Sequence, residues 1–280
     1  MNTHTHESFE DEADTVIPRE GWHVIHLFYH IEQSQWSLFS DEEKLEAKTH
    51  LTELIQEIRS ADSTQLLTFS MVTPKADLGF MLLTDDLHKV NDFETRLTRS
   101  LGSDVLSPSY SYLSMTEVCE YRSTEEHYRE QLVSTGVEKG SKEFDSSMAE
   151  HKSRTEKFEQ DSLYPVMPDW PVFCFYPMSL RRGDVHNWYS MEHDVRRQLM
   201  AGHAQVARQR EGKVCQLVTG SSGLDEQEWA VSLFSHNSQD IKEMVYEMRF
   251  NELTSNYAEF SDFLIGLQLP LNKLFQRIGL

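Results

Sequence analysis

The chain has 280 residues, 39% hydrophobic and 11% aromatic, enough to bury one large core or two core units of ordinary size. Its 46 acidic and 26 basic residues leave a net charge of -20, which opposes attraction to nucleic acid or anionic membrane surfaces. Three cysteines (Cys119, Cys174 and Cys215) without C-x-x-C spacing argue against a disulfide framework or zinc site, and with no apolar run of secretory or membrane-spanning length the sequence reads as cytoplasmic.

Residues 1–19 form an acidic tail containing Glu7, Glu10, Asp11, Glu12 and Asp14, expected to be disordered. His4 and His6 read as part of that polar terminus. A first unit, 20–122, opens with the strand Trp22 to His30, rich in aromatic and β-branched residues. On a strand, His23 and His26 take opposite faces while His26 and His30 share one, and ordinary strand histidines are the simpler reading. Asp41, Glu42 and Glu43 then open an amphipathic helix along Leu45, Leu51, Leu54, Ile55 and Ile58. Strands from Gln65 to Val72 and Gly79 to Leu83, a helix from Leu87 to Leu101 and a strand from Tyr110 to Tyr121 complete the order expected of a ferredoxin-like α+β unit.

A charged linker, 123–163, is expected to be exposed helix or mobile chain. The same order returns in 164–280: a strand from Val172 to Tyr176, a helix from Met191 to Arg210, strands from Lys213 to Thr219 and Glu228 to Phe234, a helix from Ser238 to Phe250 and a last strand from Phe260 to Leu267. Gln35-Trp36 matches Asn187-Trp188, and Gln65-Leu66-Leu67-Thr68 matches Gln216-Leu217-Val218-Thr219. The chain is therefore read as an internal duplication with a continuous sheet.

The copies differ in their first long helix, where the second carries Met200-Ala201-Gly202-His203-Ala204. Small neighbours leave room for a neutral imidazole to approach a flat macrocycle and ligate iron, although a lone helix histidine is more often a packed or solvated residue. The pairs Arg181-Arg182 and Arg196-Arg197 stand out from the acidic background, as a place for a carboxylated ligand or as a solvated helix face.

Cys174-Phe175-Tyr176-Pro177-Met178-Ser179-Leu180-Arg181-Arg182 and Asn187-Trp188-Tyr189 resemble the coproheme decarboxylase branch of the chlorite dismutase-like superfamily. Gly212-Lys213-Val214-Cys215-Gln216, Thr219-Gly220-Ser221, Glu228-Trp229, Glu247-Met248-Arg249-Phe250 and Tyr257-Ala258-Glu259-Phe260 follow in that family's order and spacing. The resemblance is close over residues 170–266 and looser in the first half.

It implies an α+β chain of two tandem ferredoxin-like units forming a dimeric α+β barrel-type fold, assembled as a homopentamer. It further implies hydrogen peroxide-dependent decarboxylation of two propionates of iron coproporphyrin III to give haem b. In that scheme His203 is the axial iron ligand, Tyr176 the tyrosine that forms a radical and Gln216 the distal glutamine. Tyr112, Pro177, Met178, Ser179, Leu180, Arg181 and Thr254 are the remaining residues expected around the porphyrin. Chlorite dismutases carry an arginine where this chain has Gln216, which points away from chlorite chemistry. Leu180 stands where the decarboxylases have a lysine, Ser162 where they have an arginine and Gln227 where an aromatic is common. A haem-binding protein or peroxidase without decarboxylase turnover is the alternative within the same superfamily.

Overall fold

A computed structural model describes residues 15–102, 104–121 and 124–280. His4, His6 and the acidic residues of the tail lie outside the described residues. Val16 does not belong to a loose tail: its N–H donates to Asp86 Oδ1 at 3.0 Å, and its carbonyl accepts from Leu87.

The first half runs β1 (His23–Ile31), α1 (Gln33–Trp36), α2 (Asp41–Ser60), β2 (Thr64–Met71), β3 (Leu78–Thr84), α3 (Leu87–Ser100) and β4 (Leu106–Met115). Helix α2 starts at a capping box, with Glu43 N–H donating to Ser40 Oγ and Ser40 N–H to Glu43 Oε2, which satisfies two otherwise orphaned donors. Its apolar stripe of Ala47, Leu51, Leu54, Ile55 and Ile58 is buried against the sheet. Strand β4 stops at Met115, short of the expected Tyr121.

The charged segment is ordered as two capped helices, α4 (Glu125–Ser134) and α5 (Lys142–Leu163), which pack on each other and bury Phe144, His151 and Leu163. The second half runs β5 (Val172–Leu180), a 3₁₀ turn (Trp188–Ser190), α6 (His193–Arg208), β6 (Val214–Gly220), β7 (Trp229–Ser235), α7 (Ser238–Met248), α8 (Glu252–Tyr257), β8 (Ala258–Phe260), β9 (Leu264–Gln268) and α9 (Leu271–Ile278). The single last strand expected from Phe260 to Leu267 is thus two short strands.

The nine strands of the described residues join one sheet in the order β7-β6-β4-β1-β3-β2-β9-β5-β8, and β7 also pairs with β5, so the sheet closes on itself. Every ladder between these strands is antiparallel. The halves meet at two seams, Phe69–Met71 of β2 against Gly266–Gln268 of β9, and Met115 of β4 against Gly220 of β6. At the first seam a Cβ on Gly266 would lie 2.8 Å from Phe69 Cβ, so only glycine lets the strands approach there.

Strand alternation sorts the side chains onto two faces. The enclosed face gathers Phe28, Phe69, Tyr112, Phe173, Phe175, Leu217 and Phe234 from both halves, with Phe69 stacked on Phe173 at 3.9 Å. The outer face of the first half packs under α2 and α3, and α9 adds Leu274, Phe275 and Ile278 to that cluster. The outer face of the second half, with Cys174, Tyr176, Val231 and Leu233, packs under α7.

These faces correct the register of the internal match. Leu66 is buried in the helix-side cluster and Leu217 in the enclosed one, so pairing Gln65 with Gln216 is out of phase. A slip of one residue exchanges the faces.

His26 projects from β1 into the enclosed core, where its Nε2 shares a 2.9 Å hydrogen bond with Ser232 Oγ of β7 and its ring stacks on Phe175 at 4.2 Å. Burial pushes its pKa from 6.5 down to about 3, so the folded protein holds the neutral ring. An unfolded chain binds that proton below about pH 6.5. The stability contributed by the neutral ring is therefore whole above that pH and is lost as pH falls toward 3. Between pH 7 and 5 the loss is about 2 kcal/mol. Urea denaturation at both values should show wild type losing about that much more stability than His26→Phe. Equal pH dependence in the two proteins would contradict a buried neutral His26.

Candidate functional site

The two halves treat their first long helix differently. Helix α2 buries five residues, whereas α6 buries none and is held by α7 and α8. Leu199 and Met200 of α6 touch the cluster of Leu180, Trp188, Leu253 and Ala258, and Val206 and Ala207 touch the cluster around Tyr176. His203 lies between these anchor points. On the outer face of β6, Gln216 is half-buried and Val218 is exposed, in contrast to the buried Leu66 and Thr68 on the corresponding face of β2. The second half thus keeps polar and accessible surface where the first half is filled.

Burial pushes the His203 pKa down, so the ring is neutral at pH 7. Its Nδ1 lies 3.2 Å from Thr254 Oγ1, and Nε2 meets no hydrogen-bond partner among the described residues. Helix α6 runs close to the start of α8 at Gly202, where a Cβ would make an ordinary contact with Asn251 Nδ2 at 3.5 Å. Among the described residues no group of three or more His, Cys, Asp or Glu side chains is placed to hold a metal ion. A metal on His203 therefore needs most of its donors from a ligand, as a porphyrin supplies them, and the open imidazole nitrogen on a poorly packed helix fits that requirement.

Tyr176 is 2% exposed on β5, with its ring 4.5 Å from Phe263 and 5.5 Å from Phe260. Burial and neighbouring Cys174 raise its pKa, opposed by the Arg249 guanidinium, so it remains a phenol at neutral pH. Arg249 also lies over the Phe260 ring at 5.3 Å. This cation beside Tyr176 was missed as a site residue: the Glu247-to-Phe250 match contained it, but only the fold brings the end of α7 over β5.

Of the other expected residues, Met178 and Leu180 share the outer face with Tyr176, while Pro177 and Ser179 alternate to the other face. Tyr112 is also on the enclosed side, fully buried, with its hydroxyl on Ser221 Oγ and donating to the Gln227 carbonyl at 2.9 Å. The fold thus separates Tyr112 from Tyr176 by the thickness of the sheet. Thr254 meets His203 directly.

Neither adjacent arginine is an open cation. Arg181 pairs with Glu259 at 3.3 Å, and Arg182 pairs with the buried Glu228 and covers the Tyr189 ring at 4.8 Å. Arg154 pairs with Glu150 on exposed α5. Leu180 itself is 6% exposed in an apolar cluster with Trp188, Leu253 and Ala258. Leu180→Ala should cost about 2–4 kcal/mol through lost burial and a residual cavity. A lower urea midpoint at unchanged m-value would show it; an unchanged midpoint would contradict this packing role.

The fold and the histidine-bearing helix place the chain in a class of closed antiparallel α+β proteins. The chain belongs to the chlorite dismutase family, whose sequence model matches residues 44–269. It is 31% identical over 271 residues to a coproheme decarboxylase of Oceanobacillus iheyensis, covering 96% of this chain and 100% of that protein. A solved structure described as a novel heme-binding protein from Thermus thermophilus superposes with a TM-score of 0.78 at 31% identity, covering 95% of this chain and 98% of that one. A chlorite dismutase from Candidatus Nitrospira defluvii shares the fold at a TM-score of 0.69 and 13% identity, over 94% of this chain and 97% of that one.

Proposed function

We propose that the protein binds an iron porphyrin through His203 and uses hydrogen peroxide to decarboxylate two propionates of iron coproporphyrin III, yielding haem b. The observation that carries this reading is His203, neutral and tethered at Nδ1, on a helix that buries no residue of its own. The strand order β4-β1-β3-β2, repeated as β9-β5-β7-β6, supports reading the chain as tandem ferredoxin-like units closed into a dimeric α+β barrel.

When bound, the iron porphyrin supplies the redox chemistry with peroxide. The protein holds it and directs the hydrogen transfer. His203 would hold the metal through Nε2, and Gln216, half-buried on β6, would offer an uncharged amide to a peroxide. Tyr176 would give up its phenolic hydrogen atom to the oxidant derived from hydrogen peroxide and then take one from the propionate β-carbon. Over each cycle that C–H bond and the bond to the carboxyl carbon break, a vinyl C=C bond forms and carbon dioxide leaves. One hydrogen peroxide is reduced to two waters, so each propionate consumes one peroxide. Aromatic packing around Tyr176 keeps its hydroxyl protonated and suits it to hydrogen-atom rather than proton transfer.

The test is anaerobic loading with iron coproporphyrin III, addition of two equivalents of peroxide and mass analysis of the porphyrin. Loss of two carboxyl groups with gain of two vinyls is the expected result. A porphyrin that binds and stays intact would favour the second reading, a haem-binding protein without this turnover. That reading rests on the absence of an open cation at Leu180, Arg181 and Arg182.

A further inference from the structure

Among the described residues, helix α8 has no counterpart in the first half. There β4 is the next element after α3, whereas in the second half α7 is followed by α8 before β8. The half that carries His203 therefore carries an additional short helix. Asn251 caps it by accepting the Leu253 N–H at 3.0 Å, and Leu253 seats it at 2% exposure in the cluster with Leu180 and Trp188. Thr254, 4% exposed, is thereby fixed with its hydroxyl on His203 Nδ1.

We propose that Thr254 is a positioning residue that sets the His203 tautomer: Nδ1–H donates to Thr254 Oγ1, and Nε2 is left as a bare lone pair before any metal arrives. The inference rests on the reading of His203 as an iron ligand. It adds that the protein prepares this ligand through a hydroxyl on a dedicated helix. A neutral imidazole carries one hydrogen, and only the nitrogen without it can donate to a metal. With the hydrogen on Nε2, the binding nitrogen is blocked, and the Thr254 hydroxyl would donate to Nδ1 instead of accepting from it. With it on Nδ1, the donor is satisfied by a hydroxyl held in place from behind, the arrangement by which outer-shell groups orient metal-binding histidines.

The chain with ¹⁵N-labelled histidine, free of metal, tests this through long-range ¹H–¹⁵N correlations that distinguish the tautomers. Wild type should show the Nδ1–H form of His203, Thr254→Val should shift it toward Nε2–H, and Thr254→Ser should restore it. Titration with iron coproporphyrin III should show about 10- to 100-fold weaker binding for Thr254→Val and near-wild-type binding for Thr254→Ser. An Nε2–H form in the wild type, or one tautomer population in all three proteins, overturns the proposal. Unchanged porphyrin binding by His203→Ala would instead remove the iron-ligand reading, independently of the tautomer spectra.

Discussion

Tyr176→Phe should leave the protein folded and able to take up iron coproporphyrin III while lowering decarboxylation at least about 100-fold, equivalent to about 2.7 kcal/mol of barrier. The substitution removes one oxygen and keeps the ring against Phe260 and Phe263 and in the cluster with Val231, Leu233 and Met244. Without a phenolic hydrogen, position 176 has no group to take the propionate β-hydrogen. Single-turnover mass analysis gives the rate, and absorbance titration gives the affinity. Full turnover by the variant would remove Tyr176 from the mechanism. Loss of both affinity and turnover would indicate a binding role, because the hydrogen-transfer role predicts an effect on rate alone.

His203→Ala should weaken iron-porphyrin binding by more than about 100-fold, beyond the effect of losing a hydrogen-bond partner behind a metal ligand. Because Leu199-Met200 and Val206-Ala207 anchor α6 on either side of His203, removing its side chain should leave those anchors in place. Absorbance titration measures the loss, and millimolar imidazole should restore part of the bound spectrum by occupying the vacated volume. Wild-type affinity in His203→Ala would place the porphyrin elsewhere.

Elements with long apolar periodicity were legible in the sequence. Helix α2 announces itself through Asp41, Glu42 and Glu43 and its buried stripe, and β1 through Trp22 to His30. Helix α8, at six residues, is too short to establish a helical period, and it is the element that brings Thr254 to His203. The pattern also left the faces of β6 unresolved, because Gln216-Leu217-Val218-Thr219 has the same apolar content in either phase and only pairing with β7 decides which side chains turn outward. The proposed site residues came from motif order, whereas their partners depended on tertiary contacts: Glu259 for Arg181, Glu228 for Arg182 and Ser221 for Tyr112. Of the two expectations for the charged segment, exposed helix is the one found, and the pairing of its two helices was not legible because it rests on few residues, with Tyr128 packing on His151 at 4.0 Å.

The two seams of the closed sheet bear on the order of assembly. Within each half the longest pairing, Val172 with Leu267, spans less chain than either seam, where Met71 must find Gly266 and Met115 must find Gly220. Closing such long loops costs more chain entropy and slows the search. Each half is therefore expected to collapse around its own ladders first, with the seams zipping last as Phe69 and Phe173 come together. During that interval the unpaired edges of β2, β4, β6 and β9 are open to pairing between molecules, so the yield of refolding should fall with protein concentration more steeply than the stability of the finished fold would suggest.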